Sequence, residues 1–336
     1  EEVGVPRPGE DGHETWPRDG WQRRTGANVW SSMTVDHERG LVFLPVGSAS
    51  YDFYGGDLKG RNLFANSLVA LDAATGSRRW HQQLVHHDIW DYDPPSQPIL
   101  ADIPRNGRTV PVVIQLTKMG LVFVFERATG LPVFGVEERA VPRSEVPGEE
   151  TSPTQPFPIA PAPLARTRPV TRDDLTTVTP QSRAECERLF AQVTSGGLYT
   201  PPGLTPTLLF PGTMGGATWS GGAVDPVSGY LVVNSNEVGA IAQMVPAREG
   251  SPVPYVRGGS LGAYGRFWDS QQLPCQAPPW GKLNAIDLKT GAIAWQVPLG
   301  NMPALEAQGI TGTGTPNLGG PLVTAGGLVF IGGAID

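Results

Sequence analysis

The stretch Leu68-Val-Ala-Leu-Asp72-Ala-Ala-Thr75-Gly76-Ser-Arg-Arg-Trp80 recurs as Leu283-Asn-Ala-Ile-Asp287-Leu-Lys-Thr290-Gly291-Ala-Ile-Ala-Trp295. A worn copy reads Val122-Phe-Val-Phe-Glu126-Arg-Ala-Thr129-Gly130-Leu-Pro-Val-Phe134. Each copy encodes a β-hairpin. Alternating apolar residues form one strand, an acidic residue and Thr-Gly make the turn, and the second strand ends on a large aromatic. Glycine supplies the positive-φ turn position, and the acidic side chain can bind nearby backbone N–H groups.

A second piece recurs as Gly40-Leu-Val-Phe43, Gly120-Leu-Val-Phe123 and Gly327-Leu-Val-Phe330, with a looser form in Asp225-Pro-Val-Ser-Gly229-Tyr-Leu-Val-Val233. Short strands at this spacing, in repeats of about forty residues, predict a β-propeller. An irregular β-sandwich is the alternative. Three blades and a remnant are expected, over 30–85, 97–136, 217–299 and 319–336. Residues 137–210 interrupt the series with 12 prolines between Val141 and Leu208 and read as an extended insertion. Within it, Thr179 as N-cap and Pro180 at the first helical position predict a helix from Pro180 to Val193. A second excursion, 237–280, is rich in Gly, Pro and aromatics, among them Tyr255, Tyr264, Phe267, Trp268 and Trp280.

Composition agrees. Among 336 residues there are 43 Gly and 34 Pro, and charged residues make up only 17%. That pattern disfavours long helices, bundles and coiled coils. The 39% hydrophobic content, with 9 Trp, 7 Tyr and 11 Phe, suffices for a core and argues against wholesale disorder. A net charge of −7, with basic residues at most paired, argues against a nucleic-acid partner. The longest apolar runs fall short of the ~18 residues of a membrane-spanning helix. The chain starts at Glu1 and ends just past a strand-like run, so it reads as a segment of a longer protein. Cys186 and Cys275 lack zinc-like spacing and are compatible either with two reduced thiols or with one disulfide.

The densest polar cluster is His86-His87-Asp88-Ile89-Trp90-Asp91-Tyr92-Asp93-Pro94-Pro95. It follows the last strand of a repeat and so lies at a blade-to-blade crossing. Its side chains can move protons or bind metal. Adjacent histidines on an extended segment point apart, which weakens a shared-zinc reading. A polar loop of Asp turn-formers is the plain alternative.

This cluster, with Ser96-Gln-Pro98 behind it, resembles the membrane-bound pyrroloquinoline quinone (PQQ) dehydrogenases of the glucose dehydrogenase type and their quinate and polyol relatives. Further matching pieces are Asn28-Val-Trp30-Ser-Ser, Gly40-Leu-Val-Phe-Leu-Pro-Val-Gly47, Pro153-Thr-Gln-Pro-Phe157, Tyr199-Thr-Pro-Pro202, Phe210-Pro-Gly-Thr-Met-Gly-Gly216, Leu273-Pro-Cys275 and Gly319-Gly-Pro-Leu322. They run in order over about 30–336.

The resemblance implies an all-β, eight-bladed propeller, of which this chain supplies about three and a half blades, with PQQ near the axis. It places the proton-accepting carboxylate on Asp91, with Asp88 as the near alternative. The spacing to Lys118 favours Asp91. Lys118 matches a cation that hydrogen-bonds the quinone oxygens, and an ammonium there stabilises charge developing on the cofactor. Trp30 matches the indole that stacks on the planar cofactor. Asn234 matches a polar cofactor contact, and Trp219 and Thr213 are weaker candidates. The plain alternatives are a solvent lysine, a core Trp and a turn Asn. The family also implies Ca²⁺ or Mg²⁺. Ser50 falls where a hydroxyl ligand would, with the main ligands upstream of Trp30.

The implied activity is oxidation of a sugar or cyclic-polyol hydroxyl, glucose first, with quinate or another polyol as the alternative. The resemblance also implies that electrons pass to membrane ubiquinone from a periplasmic site, in a parent anchored to the inner membrane by a segment outside this one. The rival of another class is a non-catalytic propeller scaffold. Such a scaffold has no reason to keep Trp30, Asp91, Lys118 and Asn234 together. Phe134, standing where the other copies have Trp, predicts looser docking at that blade.

Overall fold

The computed structural model describes residues 4–105, 107–259 and 265–332. Tyr264 of the second excursion and the last four residues of the expected fourth blade lie outside the described residues. The first sheet is a four-stranded antiparallel meander of β1 (Thr34–Asp36), β2 (Leu41–Val46), β3 (Ser67–Asp72) and β4 (Arg78–Gln83). Its last turn follows the sequence logic. Asp72 accepts from Ala74 N at 3.1 Å and from Thr75 N at 2.9 Å, and Gly76 sits at φ 74°, where a Cβ would be disfavoured.

The second sheet has three strands, β5 (Ile99–Arg105), β6 (Arg108–Leu116) and β7 (Val122–Glu126). A fourth is reduced to one bridge between Phe125 and Pro132. Val133 N donates to Val124 O and Glu126 N to Leu131 O, both at 2.9 Å, on either side of that bridge. The chain then makes the hairpin β8 (Val136–Ala140) and β9 (Thr154–Pro158). The helix runs Pro180–Phe190, with Thr179 Oγ1 accepting from Ser182 N. It stops short of Val193 because Thr194 and Ser195 (β10) leave to pair with β11 (Thr207–Leu209).

The third sheet begins with β12 (Gly222–Asp225) and β13 (Tyr230–Asn236). The chain departs through β14 (Ala240–Pro246), β15 (Tyr255–Gly258) and β16 (Gly265–Arg266), which extend β10–β11. It returns as β17 (Gly281–Asp287) and β18 (Ala292–Pro298), giving the order β12-β13-β17-β18. A final pair, β19 (Leu322–Val323) and β20 (Val329–Phe330), follows.

The core lies between sheets. Phe43, Leu68, Val113, Phe123 and Phe125 fill the first seam, and Val112, Ile114, Leu231, Val233 and Ile286 the second. Val112 and Val113 enter opposite seams because strand side chains alternate. The aromatic that ends the first repeat locks the first seam. Trp80 donates from Nε1 to Arg127 O at 2.9 Å, and a Cβ on Gly130 would lie 2.6 Å from its ring. Phe134 packs at the second seam without a hydrogen bond to donate, 3.1 Å from the place of a Gly291 Cβ. Arg127 adds a buried ion pair to Asp36 across the first seam at 3.1 Å.

The two excursions form one body. A disulfide joins Cys186 on the helix to Cys275, with Cα atoms 5.1 Å apart. Both cysteines are fully buried among Val170, Leu175, Phe210 and Phe267. Ser182 Oγ donates to Asp269 beside them. Among the described residues, no helix is long and apolar enough to cross a membrane.

Candidate functional site

Three chain segments meet at one end of the first seam: the turn after β2, the 86–93 segment after β4, and the β6–β7 turn. Lys118, in that last turn, is buried. Its Nζ donates to Asp91 Oδ1 at 2.9 Å, to Asp91 O at 2.8 Å and to Asp93 Oδ2 at 2.9 Å. All three ammonium protons thus have acceptors. Asp93 Oδ1 accepts from Ser48 N at 2.6 Å, which ties β2's end to the cluster. The Lys118 ammonium lies 5.9 Å from the centre of the Trp30 ring. Gly47 permits that approach, since a Cβ there would stand 2.7 Å from Asp93 Oδ1 and 2.9 Å from Trp30 Cδ1.

The pair of carboxylates is electrostatically split. Burial pushes Asp91 up to about 8; Lys118 opposes that rise, and the Asp93 charge and hydrogen bond add to it. For Asp93 burial is outweighed by Lys118 and by hydrogen bonds from Asp91 and Ser48, and it falls to about 2. Lys118 is raised, because both carboxylates overcome its burial. The pair therefore holds one proton near neutral pH, on Asp91. The proton-accepting role that the resemblance implies for Asp91 needs an ionised carboxylate. In the structure, burial holds the Asp91 carboxyl well above the ordinary carboxylate range despite Lys118.

Asp88 does a different job. Its carboxylate accepts from Trp90 N and Tyr92 N, both at 2.8 Å, and from Asn66 Nδ2 and Ser48 Oγ. It is a buried turn-former, pushed up chiefly by burial. Asp91 itself holds φ 62°, a left-handed conformation that non-glycine residues seldom adopt. The aromatic residues of the segment anchor it. Trp90 Nε1 donates to Thr200 O at 2.9 Å and Tyr92 OH to Pro211 O at 2.7 Å.

Trp30, Asp91 and Lys118 are therefore brought together, and Trp30 remains 44% exposed. Asn234 is buried with its amide turned to Asn317 O at 3.0 Å. Trp219 stands 54% exposed on the loop before β12, and Thr213 lies on the same loop. That loop touches Lys118 through backbone: Gly216 N donates to Lys118 O at 2.6 Å, and a Gly215 Cβ would fall 3.0 Å from Lys118 Cα. Ser50 Oγ meets Thr25 Oγ1 at 3.0 Å and donates to Thr25 O. Asp93 and Ser48 were not among the expected site residues. The i, i+2 spacing of Asp91 and Asp93 on an extended segment was the available signal.

An exposed indole face beside a buried ammonium fits a flat, anion-forming group such as PQQ. Gly47 keeps the approach clear. For a metal the fit fails: among the described residues, no three His, Cys, Asp or Glu side chains cluster so as to hold one.

A bladed all-β array with an aromatic floor, a caged ammonium and paired carboxylates at one seam defines a cofactor-holding propeller. The chain belongs to the PQQ-dependent glucose/ethanol/alcohol dehydrogenase β-propeller family, whose description matches residues 6–336. It is 39% identical to a probable quinate dehydrogenase (quinone) of Xanthomonas campestris pv. juglandis, over 93% of this chain and 42% of the relative. It is 38% identical to a glycerol dehydrogenase large subunit of Gluconobacter thailandicus, over 92% of this chain and 46% of the relative. The fold matches quinohemoprotein alcohol dehydrogenase ADHIIG of Pseudomonas putida HK5 with a TM-score of 0.61 at 22% identity, over 98% of this chain and 42% of that one. The chain thus spans under half the length of these relatives.

Proposed function

We propose that this chain forms part of the catalytic propeller of a PQQ-dependent dehydrogenase that oxidises a CH–OH group of a polyhydroxy small molecule. The observation that carries this reading is the Lys118 ammonium, held between Asp91 and Asp93 beside the open face of Trp30. PQQ, when bound, supplies an electrophilic carbonyl that accepts a hydride.

This chain's residues supply the rest. Asp91 takes the substrate hydroxyl proton, which requires its deprotonated form. Lys118 stabilises negative charge that develops beside it in a water-poor setting. Trp30 orients the flat ring system by stacking. Asp93 keeps Lys118 charged and Asp91 close to neutral pH. Asn234 and Trp219 belong to the proposal as cofactor contacts on the third-sheet side. Among the described residues no three His, Cys, Asp or Glu side chains cluster so as to hold Ca²⁺ or Mg²⁺.

The family and the relatives' names support a sugar, cyclic hydroxy acid or polyol as substrate, with glucose, quinate and glycerol as the test set. Ubiquinone as electron acceptor and a periplasmic, membrane-anchored setting complete the proposal. The buried Cys186–Cys275 disulfide supports an oxidising compartment. The test is a dye-coupled oxidation assay on the full-length protein, with PQQ added or withheld, beside Asp91→Asn. PQQ-dependent turnover that the substitution abolishes is the expected result. Absence of both PQQ binding and turnover overturns the reading in favour of a scaffold propeller.

A further inference from the structure

Apart from the lysine cage, the most enclosed pair of titratable side chains near the site is His87 with Glu149. Their side chains are 4% and 1% exposed, and His87 Nε2 meets Glu149 Oε1 at 2.8 Å. Glu149 lies on the turn between β8 and β9, in the proline-rich insertion, far from the catalytic segment in sequence. Its other oxygen accepts from Gly55 N at 2.6 Å, and Oε1 also accepts from Glu150 N at 3.0 Å. One carboxylate thus binds the turn after β2, its own turn and the catalytic segment. The contact leaves no slack: a Cβ on Gly55 would stand 2.6 Å from His87 Nε2.

His87 needs such a hold. It sits at φ 47°, four residues before Asp91 at φ 62°. Two non-glycine residues in left-handed backbone persist only where the surroundings over-determine them. The C-terminal half of the segment is anchored by Trp90 and Tyr92. The N-terminal half depends on the insertion. His86 N donates to Gln155 Oε1 at 2.8 Å, Gln155 Nε2 donates back to His86 O at 2.7 Å, and Glu149 takes His87.

Building on the proposed dehydrogenase reading, we infer that Glu149 is a positioning residue: through His87 it holds the 87–91 backbone so that Asp91 stays on Lys118. The insertion is then part of the catalytic apparatus, though none of its side chains touches the reacting atoms.

The test uses the full-length protein with Glu149→Ala, Glu149→Gln, Gly55→Ala and, as control, Glu150→Gln, which alters only an exposed pair with Lys59. Glu149→Ala should lower kcat roughly 30- to 100-fold with KM within about twofold, the size expected when a reacting group is misplaced by about 1 Å. Glu149→Gln keeps an acceptor for His87 but turns an NH2 to Gly55 N, and should recover part of the loss. Gly55→Ala displaces the His87 ring from the other side and should reproduce the loss; it decides the matter if Glu149→Ala does not fold. Amide exchange supplies a readout independent of turnover. The Trp90 and Tyr92 amides, bonded to Asp88, should exchange about tenfold faster in Glu149→Ala, while β7 is unchanged.

A variant that melts earlier yet keeps wild-type kcat below its Tm overturns the inference, as does unchanged exchange at Trp90 and Tyr92. If the wild-type protein shows no PQQ-dependent turnover, the dehydrogenase reading has failed by itself, and the exchange result alone decides whether Glu149 holds the segment.

Discussion

Trp80 and Trp295 end two nearly identical hairpins, yet they meet different fates. Trp80 is wedged against Phe43 and Phe125, with its N–H bonded to Arg127. Trp295 is 36% exposed, and its strand neighbour Val297 is exposed too. The hairpins themselves are alike, down to a glycine at φ near 75° in each turn. What differs is the sheet presented to the aromatic. The functional cluster sits at the locked seam, where the second sheet brings Lys118 to the segment that leaves the first. A closed seam shields Lys118 and the two carboxylates from water, and within it the Ser48 N–H and the Asp91–Asp93 hydrogen bond push the proton affinities of the two carboxyl groups apart. An ammonium and two carboxylates at an open edge would be screened and would titrate near their ordinary values.

The largest effect expected at the locked seam is on rate. Asp91→Asn keeps the shape and the Lys118 contact but removes the proton acceptor. PQQ-dependent turnover should fall about 10³-fold, within the usual range for a general base, while the melting temperature stays close to wild type. A drop of less than tenfold would detach Asp91 from that role.

Next comes Lys118→Met, read by denaturant unfolding. It leaves two carboxylates together without their cation, and stability should fall by about 3 kcal/mol, as when one partner of a buried ion pair is lost. A neutral result would mean that the cluster opens to water when the cation goes.

The two tryptophans give the direct contrast. Trp80→Ala should cost on the order of 3 kcal/mol through lost packing and an unpaired carbonyl. Trp295→Ala in this same chain should stay within about 0.5 kcal/mol, as for most surface changes. Equal losses would show that the third sheet's outer face is covered in solution.

The smallest effect is a shift along the pH axis. Activity that needs ionised Asp91 should rise with pH through a limb near 8. The Asp93 charge helps to hold Asp91 up, so Asp93→Asn should move the limb to lower pH, by about one unit given a neighbouring like charge. A limb that stays in place, measured as kcat/KM against pH, would show that burial alone sets it.

Much of this molecule is legible in short runs of residues. Asp72-Ala-Ala-Thr75-Gly76 encodes its turn because the carboxylate, the two N–H groups it binds and the glycine lie within five positions. Thr179-Pro180 encodes a helix start for the same reason. Trp30, Asp91 and Lys118 were named by the family resemblance that their short motifs carry, and the fold brings the three together.

The rest depends on partners far apart in the chain. Glu149 and His87 are 62 positions apart, and no local pattern links them. The strands of the second excursion were missed because their partners β10 and β11 lie in the other insertion. Whether Cys186 reaches Cys275 likewise rested on how two loops fold together.

Strand, turn and cap were written in the residues themselves, since they arise from backbone geometry and hydrogen bonds a few positions apart. Which tryptophan is packed between sheets, which aspartate burial pushes up and which loop bonds the His87 side chain emerged only on assembly. Burial and Coulomb interactions act across space, between groups that the chain must first bring within a few ångströms.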